Sequence, residues 1–341
     1  MRGASLKVKS VNPAAGIEGG KVLIVGSGFD PEDATQTQVA FGGIAGRLLL
    51  VSSTRIVAQI PEDAVAGPIT IAVRGKSSNA FDFLLGERLT ANVNPVDNPI
   101  FDKKGNLYVT FSGKRGETVP VAVYKITPSG EVLPHLTNIP NATSLAFDEE
   151  GNLYISSRFE GTVYRATPQA DITVFAKDLG VPTGLAFDRK GFLYVGDRGG
   201  RILKVSPDGQ VSVFAEVPES MVACHLAFDL DGNLLVSSPG LSSYNTIFLV
   251  DLYGKAIPLY GGFGRPQGLA VDQTGNIFLC EAKAGDSAIL KISQSGEITT
   301  AVTGPIMVGV AFDGQGNLAV CSLSAVYRLP LGNSKQPFKK K

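Results

Sequence analysis

A segment of about fifteen residues recurs six times along this chain and constrains the fold more than any other feature. Each copy is an alternating apolar strand that ends at an aspartate, a turn close to D-x-x-G-N and a second apolar strand, as in ATSLAFDEEGNLYIS from Ala142. The first copy, VDNPIFDKKGNLYVT from Val96, is the least regular. A period near forty predicts a repeat architecture, because such a unit buries its faces only against neighbours. The aspartates are Asp102, Asp148, Asp188, Asp229, Asp272 and Asp313, spaced 46, 40, 41, 43 and 41 residues apart.

Each repeat contains four strands. In the third copy they read TGLAFD, FLYVGD, RILKVS and VSVFAE, and Gly, Asp and Pro fill the turns between them. Four antiparallel strands per repeat are typical of a propeller blade, so six repeats predict six blades. The turn glycine suits the left-handed conformation of a short hairpin, and the aspartate can accept backbone N–H groups there. We therefore interpret the repeated carboxylate as a turn device and not as a catalyst.

The last repeat ends after its third strand, AVYRLPL, and has no fourth. The segment GERLTANV, Gly86 to Val93, is similar to the fourth strands GQVSVFAEV and GEITTAVTG. We predict that it supplies the outer strand of the last blade, which joins the ends of the ring and removes an open edge. The predicted propeller covers residues 86–331, and residues 332–341 are a basic tail that we expect to be disordered.

Residues 1–85 do not repeat. Short β-rich runs alternate with Gly/Pro turns and no helical period is present, which suits a small sandwich. The whole chain is therefore predicted to be all-β. Gly26-Ser27-Gly28 precedes Phe29-Asp30-Pro31 and not a helix, so we interpret it as a turn and not as a nucleotide loop.

The first part of the chain carries a set of short motifs: Pro13, Gly19-Gly20, GSGF at 26–29, VAFGG at 39–43, Pro61 and SNAFDF at 78–83. With these motifs it resembles an IPT/TIG domain, an immunoglobulin-like sandwich, which implies a spacer or contact module in a bacterial surface or enzyme chain. The six repeats resemble NHL repeats and, at superfamily level, the lactonase-like six-bladed propellers that include gluconolactonase.

Composition excludes several classes of function. Lys+Arg and Asp+Glu are both 31, so no net charge attracts nucleic acid or an anionic membrane, and we interpret Lys114-Arg115 and the Lys339–Lys341 end as solvated. The apolar runs are strand-sized, far shorter than a membrane helix. The 3 cysteines cannot all pair, and only 2 histidines are present, which excludes a three-histidine zinc site. As written, the sequence has no secretory signal and predicts a cytoplasmic protein; a shortened N-terminus would allow a secreted or periplasmic one.

A polar mouth is predicted on one face of the propeller. The starts of the first strands and the ends of the second strands share that face, and the D-x-x-G-N turns lie on the other. The predicted mouth comprises Asp97, Asn98, Arg158, Asp197, Arg198, His225, Gln267 and Glu281. Such convergence favours a binding site, while local ion pairs and loop bonds are the alternative for each residue.

The resemblance to gluconolactonase implies a divalent metal held by a Glu, two Asn and an Asp, largely from the residue before each first-strand glycine. Only Asp97 among those positions is a good hard-metal ligand, so we predict no cofactor, with calcium at Asp97 as the alternative. The positions read Asp97, Thr143, Thr183, Cys224, Gln267 and Val308.

Two functions remain open from the sequence. The first is a non-catalytic scaffold that binds a protein, peptide or carbohydrate on the face with the loops between second and third strands, which are long in blades one, four and five. Arg158 and Arg198 there suit a carboxylate. The alternative is a lactonase-like hydrolase or lyase with an atypical channel site. His225 is then the candidate general base, because its unperturbed pKa suits neutral pH.

Overall fold

The computed structural model describes residues 5–283 and 286–331, so the basic tail 332–341 lies outside the described residues. Within these ranges the chain is built from strands and one 3-10 turn, Ala34–Gln36, and no helix is long and apolar enough to cross a membrane. Two compact units are present. The first contains the chain up to Glu87 together with Asp286–Leu290 and Ile298–Ile306, and the second contains the rest.

The N-terminal part is a sandwich of two four-stranded sheets, ordered β1-β3-β7-β6 and β5-β4-β8-β9. Alternate residues of the strands point inward, as the burial of β3 and β8 shows, and the core between the sheets includes Ile24, Phe41, Ile56 and Ile71. The strands are β1 (Lys7–Asn12), β2 (Ala15–Gly16), β3 (Lys21–Ser27), β4 (Thr37–Phe41), β5 (Ile44–Ala45), β6 (Arg47–Val51), β7 (Arg55–Gln59), β8 (Ile69–Val73), β9 (Lys76–Ser77) and β10 (Leu84–Leu85).

The repeats form six antiparallel blades of four strands each, as predicted; five of them are separate four-stranded sheets, and the fifth is part of a six-stranded sheet. The first three blades consist of β12 (Ile100–Phe101), β13 (Leu107–Thr110), β14 (Val123–Ile126) and β15 (Val132–Leu136); β16 (Ala142–Phe147), β17 (Leu153–Ser157), β18 (Thr162–Ala166) and β19 (Ile172–Ala176); and β20 (Pro182–Phe187), β21 (Leu193–Asp197), β22 (Arg201–Val205) and β23 (Val211–Glu216). The last three consist of β24 (His225–Phe228), β25 (Leu234–Ser237), β26 (Asn245–Val250) and β27 (Ala256–Phe263); β28 (Pro266–Val271), β29 (Ile277–Lys283), β30 (Asp286–Ile292) and β31 (Ile298–Gly304); and β32 (Met307–Phe312), β33 (Leu318–Ser322), β34 (Ala325–Leu329) and β11 (Glu87–Ala91).

The last blade confirms the predicted closure. Its order is β11-β34-β33-β32, so a strand that precedes the first repeat completes the sixth. The backbone N–H of Val93 also donates to the carbonyl of Ser324 at 3.3 Å. The first strand of blade one, β12, contacts both β16 and β32, which closes the circle of inner strands. The ring is therefore sealed by hydrogen bonds between the two ends of the repeat region.

Two short strands that the sequence did not predict lie beyond β31, a strand of the first compact unit. β2 lies parallel to it with Gly16 opposite Thr303, and β10 lies parallel to β2. The N–H of Ile17 donates to the carbonyl of Thr303 at 2.9 Å. A side chain at Gly20 would meet the Thr303 carbonyl at 2.7 Å, which explains the small residue. Two short strands from the N-terminal part thus continue the sheet beyond β31.

The D-x-x-G-N turns have the geometry predicted for them. Oδ1 of Asp102 accepts the backbone N–H groups of Lys104 and Asn106, each at 2.9 Å, and Oδ2 accepts the Asn106 side chain at 2.7 Å. Gly105 has φ of 78°, a left-handed conformation that a residue with a side chain rarely adopts. Burial acts to raise the pKa of Asp102, but these hydrogen bonds outweigh it and keep the pKa below 3.8. The carboxylate is engaged within its own turn.

Candidate functional site

The centre of the propeller is occupied by a contact between Asp97 and His225. Asp97 precedes the inner strand of blade one and His225 opens the inner strand of blade four, on opposite sides of a six-bladed ring. Oδ1 of Asp97 lies 2.5 Å from Nδ1 of His225, and both side chains are buried. The sequence analysis put both residues on this face but in distant blades, and it did not predict their pairing. The pairing spans the channel from blade one to blade four.

Asn98 forms a wedge between the inner strands of blades five and six. Its side-chain N–H donates to the carbonyl of Leu269 at 3.0 Å, and its carbonyl oxygen accepts the N–H of Val310 at 3.0 Å. A side chain at Gly268 would meet Asn98 Oδ1 at 2.2 Å, and one at Gly309 would meet the Asp97 carbonyl at 2.4 Å. These two first-strand glycines therefore make room for the segment that brings Asp97 into the channel. Both polar groups of the Asn98 side chain are therefore engaged in hydrogen bonds to backbone atoms.

Asp197 is held by local partners. Its Oδ2 accepts Nε and Nη2 of Arg201 at 2.9 and 2.7 Å, and its Oδ1 accepts the Val181 N–H at 2.9 Å. The carboxylate thus pairs with Arg201 and not with its neighbour Arg198. This is the local-ion-pair alternative that the sequence left open.

Glu281 and Gln267 are also buried. Oε1 of Glu281 accepts the N–H of Gly264 at 2.5 Å, so this carboxylate fixes the loop that leads into β28. Gln267 lies on β28 beside Gly268, where Asn98 approaches. Most of the predicted mouth side chains are therefore engaged in hydrogen bonds or ion pairs within the protein.

Arg158 and Arg198 differ from the other predicted mouth residues. Arg158 is half-buried and Arg198 is exposed. Burial lowers the pKa of Arg158, and the positive charge of Arg198 lowers it further, so the two guanidinium groups are close enough to repel. Within residues 5–283 and 286–331, neither guanidinium has a carboxylate partner. They form a pair of unneutralised cations on the mouth face.

The positions that a lactonase-like metal would use do not form a matching ligand set. Asp97 is engaged by His225, and Oγ1 of Thr143 donates to the Asn141 carbonyl at 2.8 Å. Oγ1 of Thr183 accepts the Cys224 N–H at 2.8 Å. In the described part of the chain, no group of three or more His, Cys, Asp or Glu side chains converges as metal ligands would. The residues present therefore do not fit the metal that the resemblance implies.

The cysteines are buried, as expected, and free. Burial raises the pKa of the Cys224 thiol, and the charges of Asp97 and Asp197 raise it further. Burial likewise raises the pKa of Cys280 and of Cys321. A thiol with a raised pKa is a poor nucleophile, so these residues act as small core side chains.

A groove of about 1100 Å³ lies on the opposite face, between the D-x-x-G-N turns of the first three blades. Its floor is made of aromatic rings that pack edge to face, with centroids 5.2 Å apart for Tyr108 and Phe147 and 4.8 Å apart for Tyr154 and Phe187. Burial raises the pKa of Tyr154 to about 12, and the charge of Asp148 also raises it. The turn face therefore carries a groove with an aromatic floor, and the aspartates beside it are engaged in their own turns.

Comparison with known families identifies the N-terminal part. A family model described as the IPT/TIG domain matches residues 6–84. Residues 6–84 are an IPT/TIG domain. The match agrees with the two-sheet sandwich and with the motifs found in the sequence. No curated protein matches the chain at a significant level.

Solved structures share the fold. An auxiliary nutrient binding protein from Bacteroides thetaiotaomicron is 13% identical with a TM-score of 0.56, and the alignment covers 95% of this chain and 97% of that one, the IPT/TIG domain included. A candidate gluconolactonase is 17% identical with a TM-score of 0.58 and aligns over 72% of this chain and 91% of its own. A catalytically inactive histidine-to-alanine variant of virginiamycin B lyase from Staphylococcus aureus, solved with quinupristin, is 18% identical with a TM-score of 0.52, over 73% and 89%. At sequence identities of 13–18%, the similarity to these structures shows a shared fold.

Proposed function

We propose that this protein is a non-catalytic binding protein whose propeller holds an acidic group of its ligand between Arg158 and Arg198. The observation that carries the proposal is the unneutralised guanidinium pair. The predicted ligand classes are a protein, a peptide or a carbohydrate, and the common requirement is a carboxylate or a similar anion.

The charges of Arg158 and Arg198 favour an anionic ligand. Two like charges that interact, one of them half-buried, destabilise each other and lower the pKa of Arg158. A carboxylate between them offsets this repulsion and can accept two parallel N–H bonds from one planar guanidinium and a further N–H bond from the other. The free protein is thus poised for an anionic ligand, because its own carboxylates at the mouth are engaged elsewhere.

The likeness to an auxiliary nutrient binding protein supports a binding role, since that protein matches both the IPT/TIG domain and the propeller over nearly their full length. The two proteins share a fold, and the two arginines are the feature of this chain that favours an acidic group.

The second candidate is a hydrolase or lyase with a channel site. The inactive histidine variant of virginiamycin B lyase favours it, since His225 lies in the channel here. Nε2 of His225 has no hydrogen-bond partner among the described residues, which would leave it free to act on a proton. Against this, His225 is fully buried beneath Asp97, so a substrate would have to displace that contact before it reached the ring.

The test uses succinate as the probe, at low and constant ionic strength, in isothermal titration calorimetry. We expect weak, saturable binding to the parent and at least tenfold weaker binding to the variant Arg158→Ala/Arg198→Ala. The control is Arg47→Ala/Arg55→Ala, which removes two exposed arginines from the IPT/TIG domain and the same total charge. Equal binding by the parent and the mouth variant would refute the proposal.

A further inference from the structure

We infer that the arginine pair is the charged end of a longer docking strip for a peptide segment of a partner protein, one in which a carboxylate is accompanied by large apolar side chains. This inference rests on the proposed function and narrows its ligand to a peptide. The strip, called here the apolar–cationic strip, consists of Phe159, Arg158, Arg198, Met221, Leu241 and Tyr244.

The members of the strip are connected from blade two to blade four. Arg158 and Arg198 interact through their charges. The carbonyl of Arg198 accepts the N–H of Ser220 at 2.9 Å, and the N–H of the next residue, Met221, donates to the carbonyl of Pro239 at 2.8 Å. Pro239 begins the long loop of blade four that carries Leu241 and Tyr244. Backbone hydrogen bonds thus connect Arg198 to the long loop of blade four across one blade boundary, and the charge interaction connects Arg198 to Arg158 across the other.

Large apolar side chains line the strip on both sides of the cations. An exposed apolar patch rimmed by polar residues marks a binding surface when it is contiguous. Tyr, Met and Arg are also the side chains that are enriched at the centres of protein interfaces. The exposed fractions are 52% for Phe159, 54% for Met221, 88% for Leu241 and 72% for Tyr244.

The loop that carries Leu241 and Tyr244 is held in place. The buried side chain of Asn245 accepts the Gly240 N–H at 2.8 Å and donates to the carbonyls of Ser242 and Gly264, each at 2.7 Å. The N–H of Tyr244 donates to Oγ of Ser242 at 2.9 Å. One buried amide thus closes the loop on itself and ties it to the segment before β28. The apolar side chains are presented on a fixed backbone, which lowers the entropic cost of binding.

The chemistry of the strip favours a peptide over the other ligand classes. A carbohydrate needs several convergent hydrogen-bonding groups, whereas Met221, Leu241 and Phe159 offer none. A peptide supplies both an anionic group for the arginines and apolar side chains for the rest, spaced along an extended backbone. The zero net charge of the chain gives no general attraction to polyanions, so the charge complementarity is local. An anionic membrane surface is the competing partner that the test must separate.

The test uses the full chain and a set of synthetic twelve-residue peptides with one central glutamate flanked by leucine and phenylalanine. The comparison peptides carry lysine at the centre, or serine in place of the apolar residues. Fluorescence polarisation gives the affinities. We expect the parent to bind the acidic apolar peptides and to discriminate against both comparison sets by at least tenfold.

The decisive variant is Leu241→Ser/Tyr244→Ser. We expect it to lose at least tenfold in peptide affinity while its response to succinate stays as in the parent. The control Leu49→Ser/Leu50→Ser removes two exposed leucines from β6 of the IPT/TIG domain and should bind peptide as the parent does. Failure of succinate binding in the parent would refute the proposed function instead, so the two failures are distinguishable.

Three outcomes would overturn the inference. The first is peptide binding that does not depend on the glutamate or on the apolar residues. The second is unchanged peptide affinity in Leu241→Ser/Tyr244→Ser. The third is binding to phosphatidylserine vesicles, abolished by the same variant, in the absence of selective peptide binding; that result would assign the strip to a membrane surface.

Discussion

Asp97 and His225 lie 128 positions apart in the sequence, yet Oδ1 of one and Nδ1 of the other are 2.5 Å apart at the centre of the propeller. The contact joins blade one to blade four, which face each other across the ring. It therefore adds a tie across the channel to the hydrogen bonds that close the circle at β11 and β34.

Removal of one partner of this buried contact should destabilise the fold. For Asp97→Ala we expect a loss of about 3 kcal/mol in the free energy of unfolding, because the imidazole of His225 is left buried with no partner for Nδ1. Urea denaturation monitored by circular dichroism measures the loss. A double-mutant cycle with Asp97→Ala and His225→Ala then isolates the pair, because neither alanine can replace the hydrogen bond: a coupling below about 0.5 kcal/mol would contradict a cross-ring tie.

The outer strand of the last blade gives a second prediction. A truncation that removes residues 1–93 should open the ring, whereas removal of residues 1–85 should leave β11 in place beside β34. Both truncations lose the IPT/TIG domain and β2, so their difference reports on β11 and the residues that follow it. We expect the longer truncation to melt several degrees lower in differential scanning calorimetry. Equal melting temperatures would show that β11 does not seal the ring.

The turn aspartates predict a specific acid sensitivity. The pKa of Asp102 in the folded protein is held below 3.8 by its hydrogen bonds, so its charge stabilises the fold above the pKa of the unfolded chain. This stabilisation is lost as the pH falls below 3.8 through the folded value, and it is constant from about pH 5 to 8.

The corresponding measurement compares melting temperatures of the parent and of Asp102→Asn as a function of pH. We expect the variant to melt lower at pH 7 and the difference to shrink as the pH falls below 3.8. The exposed loop substitution Asp63→Asn is the matched control and should melt as the parent does. A difference between the parent and Asp102→Asn that stays constant down to the acid limit would count against this role of the carboxylate.

The sequence predicted the architecture because the repeat places the same local signals in every blade. The D-x-x-G-N turns, the strand alternation and the resemblance of Gly86 to Val93 to a fourth strand all depend on near neighbours in the chain. Because these signals are local, the sequence did not predict contacts between residues that are distant in the chain. The Asp97–His225 contact and the fit of Asn98 over Gly268 and Gly309 depend on how far one inner segment reaches across the ring, which no periodicity encodes.

The mouth was predicted only in part for a related reason. The positions of eight polar residues in the repeats predicted that they share one face. Those positions could not show which of the eight residues form ion pairs or hydrogen bonds with groups of the protein. Asp197 had a nearer partner in Arg201, four positions away, and Glu281 accepts backbone N–H groups of its own loop. Arg158 and Arg198 are the charged mouth residues that stay available for a ligand, because no carboxylate of the described residues pairs with them. A spacing of four between a carboxylate and an arginine was the local signal that could have identified the Asp197 pair.

The most direct test of the binding face is a crystal structure of the full chain grown with succinate. We expect a carboxylate group between the guanidinium groups of Arg158 and Arg198, within hydrogen-bonding distance of both, and its absence in crystals of Arg158→Ala/Arg198→Ala grown under the same conditions. Succinate bound instead in the groove between the D-x-x-G-N turns, or an arginine pair that stays unliganded at concentrations well above the measured Kd, would contradict it.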